Sequence, residues 1–320
     1  MKRIKYFIAC IFMLFSFVSC NSNKDKFMLE GNIENETLLF FDGEELQEKI
    51  ENKESFVLVI MLSSCSTCHQ FKEEVLNPYI LETHATIYGV YSYDLDGEAK
   101  YPNKPKFKTA PAILIYNQGE NIKTLNYDHS DDIFSSVEEF KKFMSEYVIE
   151  PRLIEISEAA LDLEINNKET FILYIGWNKC GDCTLINDRV IHPFLLKSNE
   201  ETKIYYLEAD VYRSKRPLEE PILGENPTDE ELEAKANWDA WIAFATKYNF
   251  ISYRNGKVPS VQYYENGTMK EMVVYLNDKI ENDVIVDSYY SELINQNKTT
   301  DELLEFHDKK IEVFLNKYCK

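Results

Sequence analysis

The chain is poor in positive charge. It has 35 Lys and Arg residues against 55 Asp and Glu, which gives a formal net charge of −20 at pH 7. Such a surface repels polyanions, so the composition argues against nucleic acid or an anionic membrane surface as a binding partner. Solubility beside an anionic cell envelope is the simpler explanation of the charge.

Cysteine is scarce as well. Seven cysteines occur in 320 residues, and four of them form two CxxC pairs. The other three are Cys10, Cys20 and Cys319. Cys10 and Cys20 lie in the N-terminal stretch that is predicted below to direct export and attachment, so no further pair remains for a structural disulfide framework. The sequence therefore excludes a small scaffold held together by disulfides. In an oxidising compartment, cysteines confined to CxxC pairs indicate catalysis.

The CxxC pairs occupy the same place in two copies of one pattern. Residues 52–80 read NKESFVLVIMLSSCSTCHQFKEEVLNPYI and residues 167–195 read NKETFILYIGWNKCGDCTLINDRVIHPFL, with 10 identities in 29 aligned positions. A constant offset of 115 aligns Cys65 with Cys180, Cys68 with Cys183 and Pro78 with Pro193. A repeat of this length indicates duplicated domains rather than a solenoid.

Each CxxC pair is predicted to open a helix that follows a buried strand. Residues 56–62 and 171–177 are apolar runs, which is typical of strands buried on both faces. The helical stretch after the cysteines is expected to end or kink at Pro78 or Pro193. The first cysteine would then lie at a helix N-terminus, where free N–H groups stabilise a thiolate, and the second would lie one turn away. This arrangement predicts a thiol–disulfide exchange site.

A proline opens a later buried strand in each copy. Pro111 precedes AILIY and Pro259 precedes SVQYY, and a turn containing Asn and Gly follows each strand. Because proline cannot donate to a strand ladder, a cis X–Pro bond is one structural reason to keep it there. With these features the chain resembles the thioredoxin-like superfamily over most of residues 37–320. The resemblance implies that Pro111 and Pro259 are cis, lie beside the reactive disulfides and border the substrate groove.

The match is to the superfamily rather than to thioredoxin itself. The WCGPC motif of thioredoxin is absent, since Ser64 and Lys179 precede the first cysteines. Val59 and Tyr174 replace the buried acid that thioredoxin carries six residues before its first cysteine. Recycling by a thioredoxin reductase is therefore not expected.

The resemblance implies an α/β fold with two tandem thioredoxin-like domains, each a central mixed sheet flanked by helices. The predicted domains are residues 37–150, with the pair CSTC, and residues 151–320, with the pair CGDC. The first cysteine and the proline are 46 residues apart in the first domain and 79 apart in the second. The second domain therefore gains an insertion at about residues 212–257.

The insertion is predicted to contain a helix. Thr228 and Glu231 have the spacing of a capping box, which predicts a helix over about residues 228–248. Trp238, Trp241, Ile242 and Phe244 would share an apolar side that packs on the second domain. Core packing is the simpler explanation of the tryptophans. The alternative is a cover over the second CxxC site that shapes substrate choice.

The first 36 residues are predicted to direct export and attachment. Three basic residues precede 13 mostly apolar residues, a stretch too short to cross a bilayer comfortably and typical of a signal peptide. Residues 17–20, FVSC, resemble a bacterial lipoprotein box, which implies that Cys20 is lipidated. Residues 1–20 would be the signal peptide and residues 21–36 a polar tether. The alternative is an ordinary signal peptide in which Cys20 has no role.

The first cysteine of each pair is the predicted nucleophile. Cys65 and Cys180 would attack, and Cys68 and Cys183 would resolve the mixed disulfide.

The neighbours of the two pairs differ. His69 follows the first pair and would favour the thiolate when protonated. Lys179 and Asp182 flank Cys180 with opposite signs, which leaves the direction of any pKa shift open.

The sequence predicts a membrane-anchored, extracytoplasmic thiol–disulfide oxidoreductase, a lipoprotein of a bacterial cell membrane. Its expected partners are the thiols and disulfides of exported proteins, and it would either act on these or relay electrons between its CxxC sites. An unidentified redox partner, for which a membrane electron donor is one candidate, would complete the cycle. The dithiols carry the electrons, so no organic cofactor is expected.

Two alternatives remain open. One is a thioredoxin-fold binding module with non-catalytic cysteines, and the other is metal binding by the CxxC pairs. A shared zinc site would join pairs that lie 112 residues apart, whereas paired CxxC zinc motifs usually lie within about 20 residues of each other. No metal ligand is therefore assigned. Four histidines show no ligand spacing and are expected at the surface, namely His84, His129, His192 and His307.

Overall fold

The computed structural model describes residues 26–95, 103–199, 201–252, 255–276, 279–281, 284–287 and 300–319. The predicted signal peptide and its Cys20 lie outside the described residues. Within these ranges, no helix has the length and apolar character needed to span a membrane.

The strands of the described residues are between two and seven residues long. In chain order they are β1 (Phe27–Met28), β2 (Gly31–Asn32), β3 (Leu39–Phe40), β4 (Phe56–Met61), β5 (Tyr88–Tyr91), β6 (Ala112–Asn117), β7 (Glu120–Asn126), β8 (Val148–Ile149), β9 (Leu153–Glu155), β10 (Phe171–Gly176), β11 (Ile204–Glu208), β12 (Ser260–Glu265), β13 (Thr268–Val274), β14 (Lys279–Glu281) and β15 (Val284–Asp287).

The helices of the same ranges alternate with these strands. They are α1 (Gly43–Glu51), α2 (Ser66–Phe71), α3 (Asn77–Thr83), α4 (Val137–Tyr147), α5 (Glu158–Asn166), α6 (Gly181–Ile186), α7 (His192–Lys197), α8 (Asp210–Arg213), α9 (Asp229–Lys247) and α10 (Thr300–Tyr318). Two π-helical turns, Lys72–Leu76 and Asn187–Ile191, lead into α3 and α7.

The first domain is built on a five-stranded mixed sheet in the order β3-β5-β4-β6-β7. Strand β5 pairs in parallel with β3 and β4, whereas β6 is antiparallel to β4 and β7. All six residues of β4 are buried, because apolar clusters cover both faces of the sheet. The chain leaves this central strand directly into the first CxxC pair.

The second domain repeats this arrangement around β10. Its six-stranded sheet has the order β13-β12-β10-β11-β9-β2, and β10 lies between parallel β11 and antiparallel β12. Apolar clusters again cover both faces. Both domains are therefore thioredoxin-like, and the predicted fold class of two tandem α/β domains is confirmed.

The helical path continues past the proline that follows each CxxC pair. In the first domain, the N–H of Asn77 donates to the carbonyl of Lys72, five residues earlier, and Pro78 follows at the start of α3. The wider π-helical turn accommodates a residue that cannot donate a hydrogen bond. The second domain has the same turn before Pro193. Where the sequence predicted an end or a kink, the structure has a π-helical turn without a break.

The predicted helix of the insertion is α9. The Oγ1 of Thr228 accepts a hydrogen bond from the Glu231 N–H at 3.2 Å, and the Glu231 carboxylate accepts one from the Thr228 N–H at 2.8 Å. This confirms the predicted capping box. Trp241 and Phe244 of α9 belong to the same apolar cluster as Cys183, so the helix packs on the second domain.

Part of the predicted tether is structured. Strand β1 pairs with β8 of the first domain, and β2 forms the edge of the second domain's sheet beside β9. Gly31 permits a close approach there, since a Cβ at this position would lie 2.5 Å from the Cβ of Pro151. The prediction of a tether over residues 21–36 is thus corrected from residue 27 onward. Backbone pairing, such as the Ile33 N–H to the Glu155 carbonyl, needs no apolar side chain and leaves little trace in the sequence.

Candidate active sites

The first cysteine of each CxxC pair caps a helix. Cys65 is the N-cap of α2 and Cys180 is the N-cap of α6. The Sγ of Cys65 accepts a hydrogen bond from the Cys68 N–H at 3.0 Å, and the Sγ of Cys180 accepts one from the Cys183 N–H at 3.3 Å. A sulfur that faces backbone N–H groups at a helix N-terminus is stabilised as a thiolate.

The two cysteines of each pair differ in exposure. Cys65 and Cys180 are partly exposed, whereas Cys68 and Cys183 are only 0% and 3% exposed. A substrate disulfide can therefore reach the first cysteine, whereas the buried second cysteine can react only with the first cysteine of its pair. This difference supports the predicted order of attack and resolution.

The two pairs are present in different states. Cys65 and Cys68 are joined by a disulfide across a Cα–Cα distance of 5.2 Å, and Cys180 and Cys183 are thiols.

Pro111 and Pro259 follow cis peptide bonds, as the sequence predicted. In the first domain, the Sγ of Cys65 lies 3.9 Å from the carbonyl oxygen of Ala110, the residue before Pro111. In the second domain, Val258 lies before Pro259 and lines the same cleft as Cys180. The fold therefore brings each proline segment to its cysteine pair. The role of these prolines in a substrate groove stays a prediction.

The thiols of the second site have opposite pKa shifts. The pKa of Cys180 is lowered to about 7, chiefly because the Cys183 thiol donates a hydrogen bond to it, and burial opposes this shift. The pKa of Cys183 is raised, because its proton is held in that hydrogen bond and because the thiol is buried. At neutral pH, Cys180 is partly thiolate and Cys183 keeps its proton, which suits a nucleophile and a resolving thiol.

Each charged neighbour of Cys180 has a partner of opposite sign. The Nζ of Lys179 lies 3.5 Å from Asp210, and the carboxylate of Asp182 lies 3.8 Å from the Nζ of Lys257. Burial raises the pKa of Asp182, and Lys257 opposes this rise. The sequence left open the direction of the pKa shift at Cys180. The pKa is lowered, and the main cause is the Cys183 thiol rather than these charges.

The buried acid that thioredoxin carries six residues before its first cysteine is replaced in both domains by residues that cannot accept a proton. Val59 is buried and apolar. Tyr174 is also buried, its hydroxyl donates to the carbonyl of Cys183 at 3.5 Å, and burial raises the pKa of Tyr174. The phenol therefore stays protonated at neutral pH. At the first site, His69 is exposed on α2.

A cleft of about 280 Å³ opens beside Cys180. It is lined by Trp177, Cys180, Asp182, Arg213, Arg216, Leu218, Gly256, Lys257 and Val258. Sequence reasoning missed the basic residues of this cleft. The position of Lys257, two residues before Pro259, could have indicated its place, whereas the arginines lie in an insertion that has no counterpart in the first domain.

Two isolated residues lie in or against the core of the second domain. Cys319 is half-buried against the second domain's core, and burial raises the pKa of its thiol to about 11, so it stays protonated at neutral pH. His307 was expected at the surface, and this is wrong: it is 3% exposed. It lies on the buried side of α10 with Leu304 and Ile311.

Within the described ranges, no group of three or more His, Cys, Asp or Glu side chains could hold a metal ion.

Comparisons with known proteins give only remote matches. No protein-family model and no curated protein matches the chain. Thioredoxin O1 from Arabidopsis thaliana in the oxidized state is 13% identical, over 35% of this chain and 97% of that one, with a TM-score of 0.27. Zinc-bound human ERp44 is 12% identical, over 84% of this chain and 62% of that one, with a TM-score of 0.25. The first two thioredoxin domains of Naumovozyma dairenensis Eps1p are 15% identical, over 84% of this chain and 95% of that one, with a TM-score of 0.24.

Similarity at this level is no argument for a shared activity. The chain spans 62% of ERp44, so that protein's properties as a whole do not transfer to it. The thioredoxin-like fold follows from the strand order and from the placement of the cysteines and cis prolines.

Proposed function

We propose that the protein is a thiol–disulfide oxidoreductase with two CxxC sites. One observation carries the proposal: in each domain a partly exposed, helix-capping cysteine is followed three residues later by a buried cysteine. The pKa of Cys180, lowered to about 7, supplies a thiolate at neutral pH. The thiolate is the form that attacks disulfides.

In the reducing direction, the Cys180 thiolate attacks one sulfur of a substrate disulfide. The substrate S–S bond breaks, a mixed disulfide forms, and the leaving thiolate takes a proton from solvent. Cys183 then attacks the Sγ of Cys180, and its proton passes through solvent to the second substrate thiolate as that leaves. Two electrons have moved from the protein dithiol to the substrate, and an external dithiol must reduce the Cys180–Cys183 disulfide again. The reverse sequence oxidises a substrate dithiol.

Activity tests can separate the two sites. With dithiothreitol as the external dithiol, the protein should accelerate the reduction of insulin disulfides. Cys65→Ser and Cys180→Ser should each remove the share of one site, and the double variant should fall to the background rate. Cys319→Ser is the matched control and should keep full activity. If the double variant were as active as the unmodified protein, a binding module with non-catalytic cysteines would be the better account.

The direction of electron flow can be read from the reduction potential of each pair. A reduction potential of about −270 mV would make a pair a reductant, and a potential of about −120 mV would make it an oxidant. Measuring each pair in a variant that lacks the other would show whether the two potentials differ enough for an electron relay.

We place this activity outside the cytoplasm, on a lipid anchor at Cys20, with exported proteins as substrates and a membrane electron donor as a candidate partner. The support is the N-terminal sequence, in which a basic start and an apolar stretch precede FVSC. Mass spectrometry of the N-terminal peptide should find a lipid on Cys20. Cys20→Ala should release the protein from the membrane fraction, and a variant that stayed bound would contradict the anchor.

A further inference from the structure

The cleft beside Cys180 has an excess of positive charge. Arg213, Arg216 and Lys257 line it together with a single carboxylate, that of Asp182. Because Asp182 lies 3.8 Å from Lys257, these two charges largely offset each other. The excess therefore resides in the two arginines. Such a cluster is unexpected in a chain with a formal charge of −20, in which acidic partners are plentiful.

Aromatic rings hold both arginines in place. The guanidinium of Arg213 lies over the Trp177 ring, 5.0 Å from its centre, and that of Arg216 lies 4.9 and 5.3 Å from the rings of Trp238 and Trp241. Stacking of a guanidinium on a ring leaves its N–H edge able to bind an anion. The tryptophans of α9 thus shape the second site by positioning an arginine.

The arginines lack acidic partners within the described ranges. No carboxylate there pairs with either side chain, and the Nε of Arg216 is buried without a hydrogen-bond acceptor. The pKa of Arg216 is lowered, first by burial and then by the charge of Arg213. An anion bound between the two guanidinium groups would reduce this repulsion.

The first domain differs in charge over the eight residues that follow β5, the strand that β11 repeats in the second domain. There, the segment after β5 reads SYDLDGEA over residues 92–99, whereas the segment after β11 reads ADVYRSKR over residues 209–216. The first contains three acidic residues and no basic one, and the second contains three basic residues and one acidic one. The basic residues of the second segment predict a preference for anionic substrates at the second site.

An exposed apolar side chain borders the same cleft. Leu218 lines it and is 88% exposed, and Ile222 in the same loop is 93% exposed. A small disulfide compound would occupy the cleft alone, whereas a polypeptide would extend from the cleft onto this loop. The apolar border therefore favours a polypeptide.

We infer that the second site selects disulfides in acidic polypeptide segments, with a carboxylate held by Arg213 and Arg216 next to the sulfur that Cys180 attacks. This inference rests on the proposed function and names the substrate class of one of its two sites. The exchange itself is the two-electron reaction given above, with a dithiol as the external reductant.

Three matched peptides test the preference. Each contains one disulfide and a leucine, and they differ only in having Glu, Gln or Lys beside the cysteines. A small carboxylate disulfide, 3,3′-dithiodipropionate, is the fourth substrate. The enzyme is the full chain carrying Cys65→Ser and Cys68→Ser, so that only the second site reacts, with dithiothreitol as the reductant. The enzyme carrying Cys180→Ser and Cys183→Ser instead reports the first site.

Four further variants of the second-site enzyme show which residues cause the preference. Arg213→Gln/Arg216→Gln removes both guanidinium groups, and Arg213→Gln alone leaves the contacts of Arg216 with the tryptophans intact. Lys142→Gln/Lys309→Gln is the charge-matched control, because these lysines are 72% and 69% exposed and do not line the cleft. Leu218→Ser tests the apolar border.

The second site should reduce the Glu peptide roughly five- to tenfold faster in kcat/KM than the Lys peptide, with the Gln peptide between them. Increasing the salt concentration should reduce the differences in kcat/KM among the three peptides. The double arginine variant should reduce all three peptides at the Gln rate, Arg213→Gln alone should lose part of the preference, and the lysine control should keep it. Leu218→Ser should slow the peptides and leave 3,3′-dithiodipropionate unchanged.

Equal kcat/KM for the three peptides, or a preference that survives the loss of both arginines, would overturn the inference while the proposed function stood. A rate for 3,3′-dithiodipropionate as high as that for the Glu peptide, with no effect of Leu218→Ser, would assign the site to small disulfides instead. Failure to reduce the Gln peptide would refute the proposed activity of the second site, and the inference would fall with it.

Discussion

The acidity of Cys180 has two sources that mutation can separate. The larger is the hydrogen bond from the Cys183 thiol, and the smaller is the pair of backbone N–H groups at the start of α6, those of Cys183 and Asp182. The backbone contribution depends only on the helix and survives any change of the Cys183 side chain. The resolving cysteine thus activates its partner before it takes part in the reaction.

Cys183→Ala should raise the pKa of Cys180 from about 7 toward the ordinary value of about 8.5. The loss of the thiol donor disfavours the thiolate, and burial, the next largest influence on this pKa, disfavours the thiolate as well. Because alkylation requires the thiolate, its rate rises with pH through the pKa, and the midpoint should move to higher pH in the variant. The measurement is the rate of iodoacetamide labelling against pH in a Cys65→Ser/Cys68→Ser background.

Cys319→Ala is the control for this experiment. The thiol of Cys319 has a pKa raised to about 11, so it should contribute little labelling near neutral pH and its removal should leave the midpoint unchanged. A midpoint for Cys183→Ala equal to that of the background protein would mean that the helix N-terminus alone sets the acidity of Cys180.

At the scale of the elements, the sequence was informative where local signals agree. The apolar run of β4 is buried at all six positions, and the cysteines that follow it cap a helix as predicted. The spacing of Thr228 and Glu231 predicted the start of α9. Each of these signals lies within a few residues of the feature that it predicts.

The elements that the sequence did not reveal depend on distant parts of the chain. Strand β2 is held by backbone hydrogen bonds to β9, more than 100 residues away, and its residues have no strand-like pattern of their own. In the cationic cleft, Arg216 is positioned by Trp238 and Trp241 of α9. A contact between two parts of an insertion cannot be inferred from the repeat, because the other copy lacks the insertion.

Thr228→Ala should lower the free energy of unfolding of the second domain by about 1 kcal/mol. The change removes the hydroxyl that accepts the Glu231 N–H, and this donor has no other partner within the helix. Thr228→Ser keeps the hydroxyl and is the matched control. Denaturant unfolding followed by the fluorescence of the tryptophans reports the difference. Equal midpoints for the Ala and Ser variants would show that the capping box does not stabilise α9.

At the scale of the whole molecule, one short segment joins the two domains. Residues 27–33 pair with β8 through β1 and with β9 through β2, and β3 then continues into the first domain's sheet. Hydrogen bonds from Leu29 to Ile149 and from Ile33 to Glu155 support both contacts. The segment therefore limits the movement of one domain relative to the other. It also limits the range of distances between the two CxxC sites.

Gly31→Val should detach this segment from the second domain. A Cβ at Gly31 would lie 2.5 Å from the Cβ of Pro151, a distance that requires β2 or the backbone near Pro151 to shift. Overpacking of this kind costs about 1–3 kcal/mol, which corresponds to at least a fivefold rise in the open state of the segment. Endoproteinase Glu-C, which cleaves after Glu, should then cut at Glu30 or Glu34 at least about fivefold faster than in the unmodified protein. Small-angle scattering should show a larger radius of gyration as the domains separate.

Gly224→Val is the matched control for this substitution. A Cβ at Gly224 meets no atom within 4 Å, so the same added volume should change neither cleavage nor scattering. The pH midpoint of Cys180 labelling should also stay the same in Gly31→Val. The Cys183 thiol, which is the main cause of the lowered pKa of Cys180, lies within the second domain. If Gly31→Val resisted Glu-C as well as Gly224→Val does, the pairing of β2 with β9 would not be what holds the domains together. A shift in the labelling midpoint would instead mean that the edge strand influences the site across the sheet.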